Sequence, residues 1–500
     1  METSYLFSLL VTLWQDPKLV WPTIAIFLLL YSPIEGHLRS FYHNSSGLLS
    51  TVRLYFHDTR EPFAITIAGQ KWYILTDADD VSATYKINDG SLSYEIFARE
   101  VFRVIGVSAS GVSKVFQTQD LDKQGTQYPE YKDLLALMKE FQVRQLYPGK
   151  PLDDLVRISR ESLDNHMNLE SVFDRGSWYI KSTDNGIPTV SLFSWVSDLF
   201  IGLGQEAYFG KVLEEIEPDL IQTFQKFDAA AWQVLYQYPK ILSGPMLENK
   251  SKMQAAMERY FDLPAGKRDS AAYLILELEK EMLRLGISKS DRGIFFFQIY
   301  WSINGNTRKA PFWMLSYILY QPDLIEIIRK ETNPAFSENG VDVAYLSKSC
   351  HILNSLWDET IRITASAASV RFLTKDIEIG NKILRKGNRI MMPQRQLHFD
   401  PKTFGADAME FDAERFTKNP GLRRHPSLRP FGGGTSLCPG RFLAKQTTLT
   451  FIAMALNRFD IVLDPPSQPF PVPDEGKPTL ALVDFVEGYD LKVKLHPRNT

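Results

Sequence analysis

One cysteine stands in a segment whose composition could support metal chemistry. Residues 430–444 read PFGGGTSLCPGRFLA, so Cys438 follows three glycines and precedes Pro439. Glycine has no Cβ, which lets the backbone pass close to a flat or bulky group, and proline suits the first position of a helix. The sequence therefore predicts a helix over 440–456 with Cys438 at its amino terminus, where free N–H donors would lower the pKa of the thiol.

A lone thiolate could be a nucleophile, a redox thiol or the single axial ligand of a metal. The other cysteine, Cys350, is distant in sequence and no histidine is near, which argues against zinc. A nucleophile would need a base that the sequence does not identify, and it would not explain the glycines. The pattern from Phe431 through Gly434 to Cys438 and Gly440 suits a porphyrin lying on the loop with sulfur on its iron. A buried cysteine after a glycine turn is the plain alternative.

This segment resembles the haem-binding loop of the cytochrome P450 superfamily. Two other stretches agree in order and spacing: ETIR at 359–362 is similar to the family's Glu-x-x-Arg helix, and FDAERF at 411–416 to its arginine-bearing loop. The resemblance implies that Glu359, Arg362 and Arg415 form a structural lock, since one carboxylate can bind two guanidiniums. Taken alone, Glu-x-x-Arg would more simply be a solvated helix pair.

The same resemblance implies heme b as the cofactor, with Cys438 as the axial thiolate ligand of its iron. It also implies that Arg371 reaches a haem propionate, for which an isolated surface arginine is the alternative. The residues expected to border the haem are Phe431, Gly432, Gly434 and Gly440.

The central helix departs from the general family pattern. Spacing from 321–322 puts Gly305 where most relatives have an acid and Asn306 where they have a threonine. Asparagine there, with Pro311 soon after, resembles the branch of sterol 7α/12α-hydroxylases and prostacyclin synthase. An amide donates and accepts, so Asn306 could position water for proton delivery or hold a peroxide oxygen. A shift of one residue would return Thr307 to the site, and packing amides at Asn304 and Asn306 are the alternative.

Pocket-lining positions follow from the same resemblance, although each could equally be core. They are Ile303, Ala365, Ser366 and Phe485. Residues 102–115 correspond to the variable loop over the haem, where the small residues at 108–111 suggest room or mobility.

The elements that must position these residues are mostly helical. Apolar spacing is helical over most of 131–260 and again over 270–333. The runs 61–68 and 71–76 predict a β-hairpin, and 377–379, 390–392 and 490–495 are short strand candidates. We therefore expect a mainly α fold with a small β portion built from both ends of the sequence, and the resemblance described above implies that it is the cytochrome P450 fold.

The composition limits the class of protein. Of 500 residues, 44% are hydrophobic and 23% charged, with a net charge of −3, so we expect no nucleic-acid partner. Two cysteines cannot form a disulfide framework. Uncharged runs at 3–15 and 19–34 predict an N-terminal membrane anchor over 1–35, as one helix or a shallow hairpin, with the catalytic domain over 36–500. A buried apolar extension is the alternative.

These expectations combine into a membrane-bound monooxygenase. The resemblance implies dioxygen, electrons from NADPH through NADPH–cytochrome P450 reductase, and a cytosolic domain at the endoplasmic reticulum membrane. A sterol, terpenoid or similar lipophilic substrate is expected. A haem-thiolate isomerase or lyase that needs no reductase, and a non-enzymatic haem carrier or sensor, remain alternatives. A basic cluster near the haem loop suits an acidic electron donor or is simply solvated; its members are Arg423, Arg424, Arg429, Arg441 and Lys445.

Overall fold

The structure is a computed structural model and describes residues 36–117, 132–174, 178–182, 186–338, 340–478 and 480–498. The membrane anchor predicted at 1–35 lies outside the described residues. Among the helices that are described, none is both long enough and apolar enough to cross a lipid bilayer.

The predicted dominance of helices is confirmed. In chain order the α-helices are α1 (Leu38–Tyr55), α2 (Ala78–Lys86), α3 (Glu95–Ile105), α4 (Ala109–Val115), α5 (Leu134–Leu146), α6 (Lys150–His166), α7 (Leu169–Asp174), α8 (Leu192–Phe209), α9 (Val212–Ile216), α10 (Leu220–Asp228), α11 (Trp232–Leu235), α12 (Gly244–Asp262), α13 (Tyr273–Arg284), α14 (Lys289–Thr307), α15 (Lys309–Leu319), α16 (Pro322–Thr332), α17 (Val343–Ser349), α18 (His351–Thr364), α19 (Gln394–His398), α20 (Pro401–Phe404), α21 (Arg415–Lys418) and α22 (Arg441–Arg458).

The β portion is small, as expected. Its strands are β1 (Phe63–Ile67), β2 (Gln70–Ile74), β3 (Leu92–Ser93), β4 (Tyr179–Ser182), β5 (Pro188–Ser191), β6 (Phe336–Ser337), β7 (Gly340–Val341), β8 (Ala368–Leu373), β9 (Ile377–Ile379), β10 (Lys382–Leu384), β11 (Arg389–Pro393), β12 (Phe459–Leu463) and β13 (Lys492–Pro497).

The chain divides into two compact units, and the smaller one holds the predicted hairpin. Its described residues are 36–93, 370–393 and 475–478. Strands β1 and β2 pair antiparallel across Ala68 and Gly69, which both have positive φ as a tight hairpin turn requires. The sheet order is β1-β2-β11-β8-β3, and β11 joins β2 in parallel. Distant parts of the sequence thus form one sheet.

The larger unit holds the helices that carry the candidate site. Two of its hydrophobic clusters contain most of the buried apolar residues: one is formed mainly by α5, α12, α13 and α14, and the other by α8, α15, α18 and α22. A four-stranded sheet of order β12-β13-β5-β4 borders the second cluster. Burial of these apolar faces stabilises the helices that position the motifs.

A break at Arg308 separates α14 from α15. Pro311 has no N–H, so the carbonyl of Thr307, four residues earlier, receives no helical hydrogen bond from it. The side-chain hydroxyl of Thr307 donates to the carbonyl of Ile303 at 2.9 Å. The interruption therefore falls directly after Asn306 and Thr307.

Candidate functional site

The loop that carries Cys438 is closed by its own backbone. The N–H of Cys438 donates to the carbonyl of Phe431 at 3.0 Å, and Gly434–Ser436 form a short 3₁₀ turn within it. Gly432 and Gly434 have φ of 79° and 55°, a region that disfavours other residues. A Cβ on Gly432 would also lie 3.3 Å from the Ser436 carbonyl oxygen. The glycines are thus required by the path of the loop.

The thiol of Cys438 is exposed on its surface although it lies deep in the protein. This combination is that of a side chain facing an internal space. Burial raises the pKa of the Cys438 thiol above its ordinary value, although the N–H groups of Gly440 and Arg441 and the charge of Arg441 act in the opposite direction. The predicted lowering of this pKa is therefore wrong for the protein alone, because loss of hydration outweighs the helix terminus.

The helix after the cysteine begins slightly later than predicted. Helix α22 starts at Arg441 with Gly440 as its N-cap, so Pro439 precedes its first turn and is not its first residue. The Arg441 side chain donates from Nη1 to the Cys438 carbonyl at 2.8 Å and lies over the rings of Tyr147 and Phe442 at 4.7 and 4.2 Å. This arginine therefore fixes the backbone next to the thiol.

The loop fits a prosthetic group that supplies the other ligands of its metal. Among the described residues no three His, Cys, Asp or Glu side chains are grouped as metal ligands, so Cys438 stands as a single soft donor facing open space. A Cβ on Gly440 would lie 3.9 Å from Sγ of Cys438. Backbone without side chains thus lies beside the thiol, as a flat ligand such as haem requires.

The structure brings Glu359, Arg362 and Arg415 together in one buried network. Arg362 donates from Nε and Nη2 to the two Glu359 oxygens, both at 2.7 Å, and Arg415 donates from Nε at 3.1 Å. The N–H of Asp412 adds a bond of 3.0 Å. Glu359 and Arg362 are fully buried. One buried carboxylate therefore binds two arginines, of which Arg415 also pairs with Asp407 at 3.0 Å.

The two arginines also bind the chain that precedes the Cys438 loop. Arg362 donates to the carbonyls of His398, Ala408 and Glu410, while Arg415 donates to the carbonyl of Phe404. These bonds use guanidinium hydrogens that are not donated to Glu359. The network thus connects helix α18 to the backbone of residues 398–415.

Sequence reasoning missed His398, which lies beside this network. Its Nε2 accepts from the N–H of Arg429 at 3.0 Å, so its Nδ1 carries the proton and donates to the carbonyl of Arg362 at 3.0 Å. Burial and the neighbouring Arg362 cation lower the pKa of His398 to about 3. A neutral histidine therefore links the ion-pair helix to the segment that enters the cysteine loop.

Asn306 contacts a loop from the end of the chain. Its Oδ1 accepts from the N–H of Leu482 at 3.2 Å, so the carbonyl half of the amide is engaged and Nδ2 is the half available as a donor. Asn304, two residues earlier, is fully buried and lacks hydrogen-bond partners for either amide atom among the described residues. The two asparagines therefore have different surroundings.

Three of the four predicted pocket residues lie around that same loop. Ala365 forms a bridge with Leu482, and the N–H of Ser366 donates to the carbonyl of residue 481 at 2.7 Å. The Phe485 ring contacts the rings of Phe193 and Phe312, with centroids 4.9 and 5.0 Å apart. Ile303 is partly buried against the first hydrophobic cluster.

Arg371 belongs to the smaller unit. It is 7% exposed and donates from Nη1 to the carbonyl of Val370, and its guanidinium carbon lies 5.8 Å from the ring centroid of Tyr85. The surface alternative is therefore wrong, while its expected role toward a propionate stays a prediction.

Two of the small residues at 108–111 pack against a buried carboxylate, so at Ser108 and Gly111 the expected room is absent. The carboxylate of Asp291, at the start of α14, accepts from the N–H and hydroxyl of Ser108, both at 2.7 Å. A Cβ on Gly111 would lie 2.7 Å from Oδ2 of Asp291. Close packing against Asp291 explains the small residues at Ser108 and Gly111, while Ala109 and Ser110 are exposed.

The basic cluster is only partly a free surface. Arg423 pairs with Asp358 at 2.5 Å, and Arg441 is held by the Cys438 carbonyl. Burial lowers the pKa of Lys445, and Arg424 is exposed. Several of these cations therefore bind within the protein, which weakens the reading of the cluster as a docking face.

Comparison with protein families and known sequences gives consistent results. The family profile of cytochrome P450 matches residues 301–484. The 5-beta-cholestane-3-alpha,7-alpha-diol 12-alpha-hydroxylase of Sus scrofa is 26% identical over 57% of this chain, and the alignment spans 62% of that enzyme, less than two thirds of its length. The human 7-alpha-hydroxycholest-4-en-3-one 12-alpha-hydroxylase is 25% identical, with 93% of this chain and 92% of that enzyme covered.

A fungal relative and a solved structure extend the comparison. Cytochrome P450 monooxygenase poxD of Penicillium oxalicum is 24% identical over 80% of each chain. The structure of retinoic acid-bound cyanobacterial CYP120A1 matches with a TM-score of 0.69 and 16% identity, covering 93% of this chain and 97% of that one. This likeness shows the mainly helical fold with its small β portion.

Proposed function

We propose that this chain, which belongs to the cytochrome P450 superfamily and is a haem-thiolate monooxygenase by class, hydroxylates a sterol, terpenoid or similar lipophilic molecule. The observation that carries the proposal is the Cys438 loop, where the exposed cysteine lies beside Gly440, whose missing Cβ would stand 3.9 Å from its Sγ.

Different residues of the loop would contact different parts of haem. Cys438 would bind the iron, and Phe431, Gly432, Gly434 and Gly440 would border the macrocycle, with Arg371 reaching a propionate. Haem supplies dioxygen binding and reduction when it is bound, and the thiolate ligand favours O–O cleavage. The buried network of Glu359, which accepts from Arg362 at 2.7 Å, supports the loop from behind.

Asn306 and the loop around Leu482 would face the substrate. Because Oδ1 of Asn306 accepts from Leu482, its Nδ2 can donate a hydrogen bond to water or to an oxygen of the substrate. Ala365, Ser366 and Phe485 lie around the same loop and offer apolar contacts. Ile303 and Thr307 complete the set of predicted contacts.

The substrate class, electron source and location rest on the relatives. Two relatives are named as 12-alpha-hydroxylases of steroid alcohols or ketones, so a fused-ring lipid is the first class to test. We propose electrons from NADPH through NADPH–cytochrome P450 reductase, and attachment to the endoplasmic reticulum membrane by residues 1–35 with the catalytic domain in the cytosol.

Heavy-isotope dioxygen tests the proposed reaction. Membranes containing the chain are incubated with 7-alpha-hydroxycholest-4-en-3-one, or with a lipid extract of the source organism, with and without NADPH and reductase. We expect a product that carries one heavy oxygen atom in the complete mixture alone. A product formed without reductase and without heavy oxygen would instead establish an isomerase or lyase, and ligand-induced haem shifts without turnover would indicate a carrier.

Replacement of the cysteines tests the ligand. We expect Cys438→Ala to abolish the thiolate-type absorption band of the reduced, carbon monoxide-bound protein. Cys350→Ala is the matched control, because Cys350 is buried and its Sγ lies 3.5 Å from the Glu331 carbonyl. Retention of the band in Cys438→Ala would refute the assignment of the ligand.

A further inference from the structure

We infer that the carboxylate of Asp228 supplies protons to the region of Asn306, where helix α14 has no acidic residue of its own, and that Lys309 and Asp484 pass protons to Asp228. The inference deepens the proposed function and rests on it, since only a monooxygenase consumes protons in this way. Asp228 is the last residue of α10, more than seventy positions before Asn306 in the sequence.

The Asp228 carboxylate occupies the space beside Gly305. A Cβ built on Gly305 would lie 3.3 Å from Oδ1 of Asp228, so a larger residue at 305 would compete with the carboxylate. The indole N–H of Trp301 donates to the same oxygen at 2.9 Å. The side chain of Asp228 is only 3% exposed. A buried acid from another helix thus reaches the residue that directly precedes Asn306.

Three further charges connect Asp228 with the protein surface. Arg308 donates to Oδ2 of Asp228 and to the hydroxyl of Ser197. Lys309 Nζ lies 3.9 Å from Asp228 Oδ2 and 3.1 Å from Asp484 Oδ2. Side-chain exposure rises from 3% at Asp228 to 11% at Lys309 and 16% at Asp484. The carboxylate–ammonium–carboxylate series therefore leads from the buried acid outward.

Lysine and arginine differ in what they can do in this cluster. A guanidinium stays protonated in proteins, so Arg308 can hold Asp228 but cannot pass a proton on. An ammonium can release a proton and take one up again when its surroundings favour it. The only cation of the two that can act as a carrier is therefore Lys309.

The proposed reaction needs such a supply. One turnover converts a substrate C–H bond, dioxygen, two electrons and two protons into a C–OH group and water, with the electrons coming from NADPH through the reductase. The amide of Asn306 has no proton to release at ordinary pH, and the Thr307 hydroxyl donates to the Ile303 carbonyl. Asp228, next to Gly305, is a titratable group suited to deliver the protons.

The substitution Lys309→Arg separates a proton carrier from an ion pair. It keeps the charge and can still bind both carboxylates, but it cannot release a proton. We expect NADPH-supported dioxygen consumption with reductase to fall at least about tenfold, and its solvent deuterium isotope effect to change. The unfolding temperature and the carbon monoxide spectrum should stay those of the unmodified protein.

Two further variants keep the test decisive if Lys309→Arg fails to fold. Asp484→Asn removes the outer carboxylate at a partly exposed position, and Asp228→Asn removes the inner one without changing its shape. We expect both to reduce dioxygen consumption, with the larger loss for Asp228→Asn. Glu279→Gln is the control, since Glu279 forms a similarly buried pair with Arg268 at 2.7 Å on another helix and should keep the normal isotope effect.

The outcomes of this experiment are distinct. If the unmodified protein consumes NADPH and dioxygen and Lys309→Arg matches it within twofold with an unchanged isotope effect, the relay is refuted and the cluster is structural. If the unmodified protein consumes neither in the presence of reductase, the proposed function fails and the relay falls with it. If Lys309→Arg loses the carbon monoxide spectrum or unfolds at a lower temperature, the two aspartate variants decide: dioxygen consumption within twofold of the unmodified protein in both refutes the relay, and the expected losses support it.

Discussion

Single residues decide the charge balance behind the cysteine loop. Glu359 and Arg362 are fully buried, and Arg415 shares an oxygen of Glu359. Removing one member of such a network leaves an uncompensated charge without water, which costs more than the original interactions contributed. The network is therefore sensitive to isosteric changes.

We expect Glu359→Gln to destabilise the protein by about 3–5 kcal/mol, because two buried guanidiniums lose their shared anion. Denaturant unfolding with and without haem measures the loss. Lys280→Gln, which breaks a pair with Glu277 whose lysine is largely exposed, should leave the unfolding midpoint unchanged. Equal stability of Glu359→Gln and the unmodified protein would show that backbone carbonyls and Asp407 satisfy the arginines without Glu359.

His398 gives the fold a defined pH dependence. Its pKa is about 3 in the folded protein and about 6.5 when unfolded, so the unfolded state binds more protons between these values. The stabilising contribution is therefore complete above pH 6.5 and declines as the pH falls toward 3, by at most about 1.4 kcal/mol per pH unit. Parallel pH profiles of unfolding free energy for His398→Asn and the unmodified protein would argue against this assignment.

Helix packing depends on residues too small to attract notice in a sequence. A Cβ on Gly204 of α8 would lie 2.3 Å from Oδ1 of Asn304 and 3.3 Å from Cγ2 of Ile303 on α14. The two helices can approach this closely only with glycine at that position. Asn304 is thus a buried packing amide of α14.

We expect Gly204→Ala to lower the unfolding free energy by about 1–3 kcal/mol through overpacking. The double variant Gly204→Ala with Asn304→Ala should recover part of the loss, because it removes the atom that the new methyl group meets. Gly266→Ala is the control, since a Cβ there has nothing within 4 Å. Strictly additive effects in the double variant would contradict this packing.

Local patterns predicted the elements better than the contacts between them. The hairpin β1–β2 and the strand β9 follow from alternation and turn residues, and the glycines before Cys438 follow from the motif. The bond from Asp291 to Ser108 joins residues 183 positions apart, and that of Arg429 to His398 joins residues 31 apart. No local pattern contains such contacts, so the room expected at Ser108 and Gly111 was wrong.

At the scale of the whole molecule, burial changed the expected chemistry. A helix terminus alone predicts a low thiol pKa, but the depth of Cys438 reverses the direction. The basic cluster likewise looks free in the sequence, while Arg423 binds Asp358 in the folded chain. Both differences arise because hydration and partners are set by the assembled structure.

The order of strands in the smaller unit has a consequence for how the protein is made. Strand β2 is completed early, but its parallel neighbour β11 emerges from the ribosome roughly 300 residues later. At about 5–20 residues per second, the open edge of β2 waits roughly 15–60 s. Unpaired strand edges recruit other chains, so this stretch of the nascent polypeptide is where a chaperone would have most to protect.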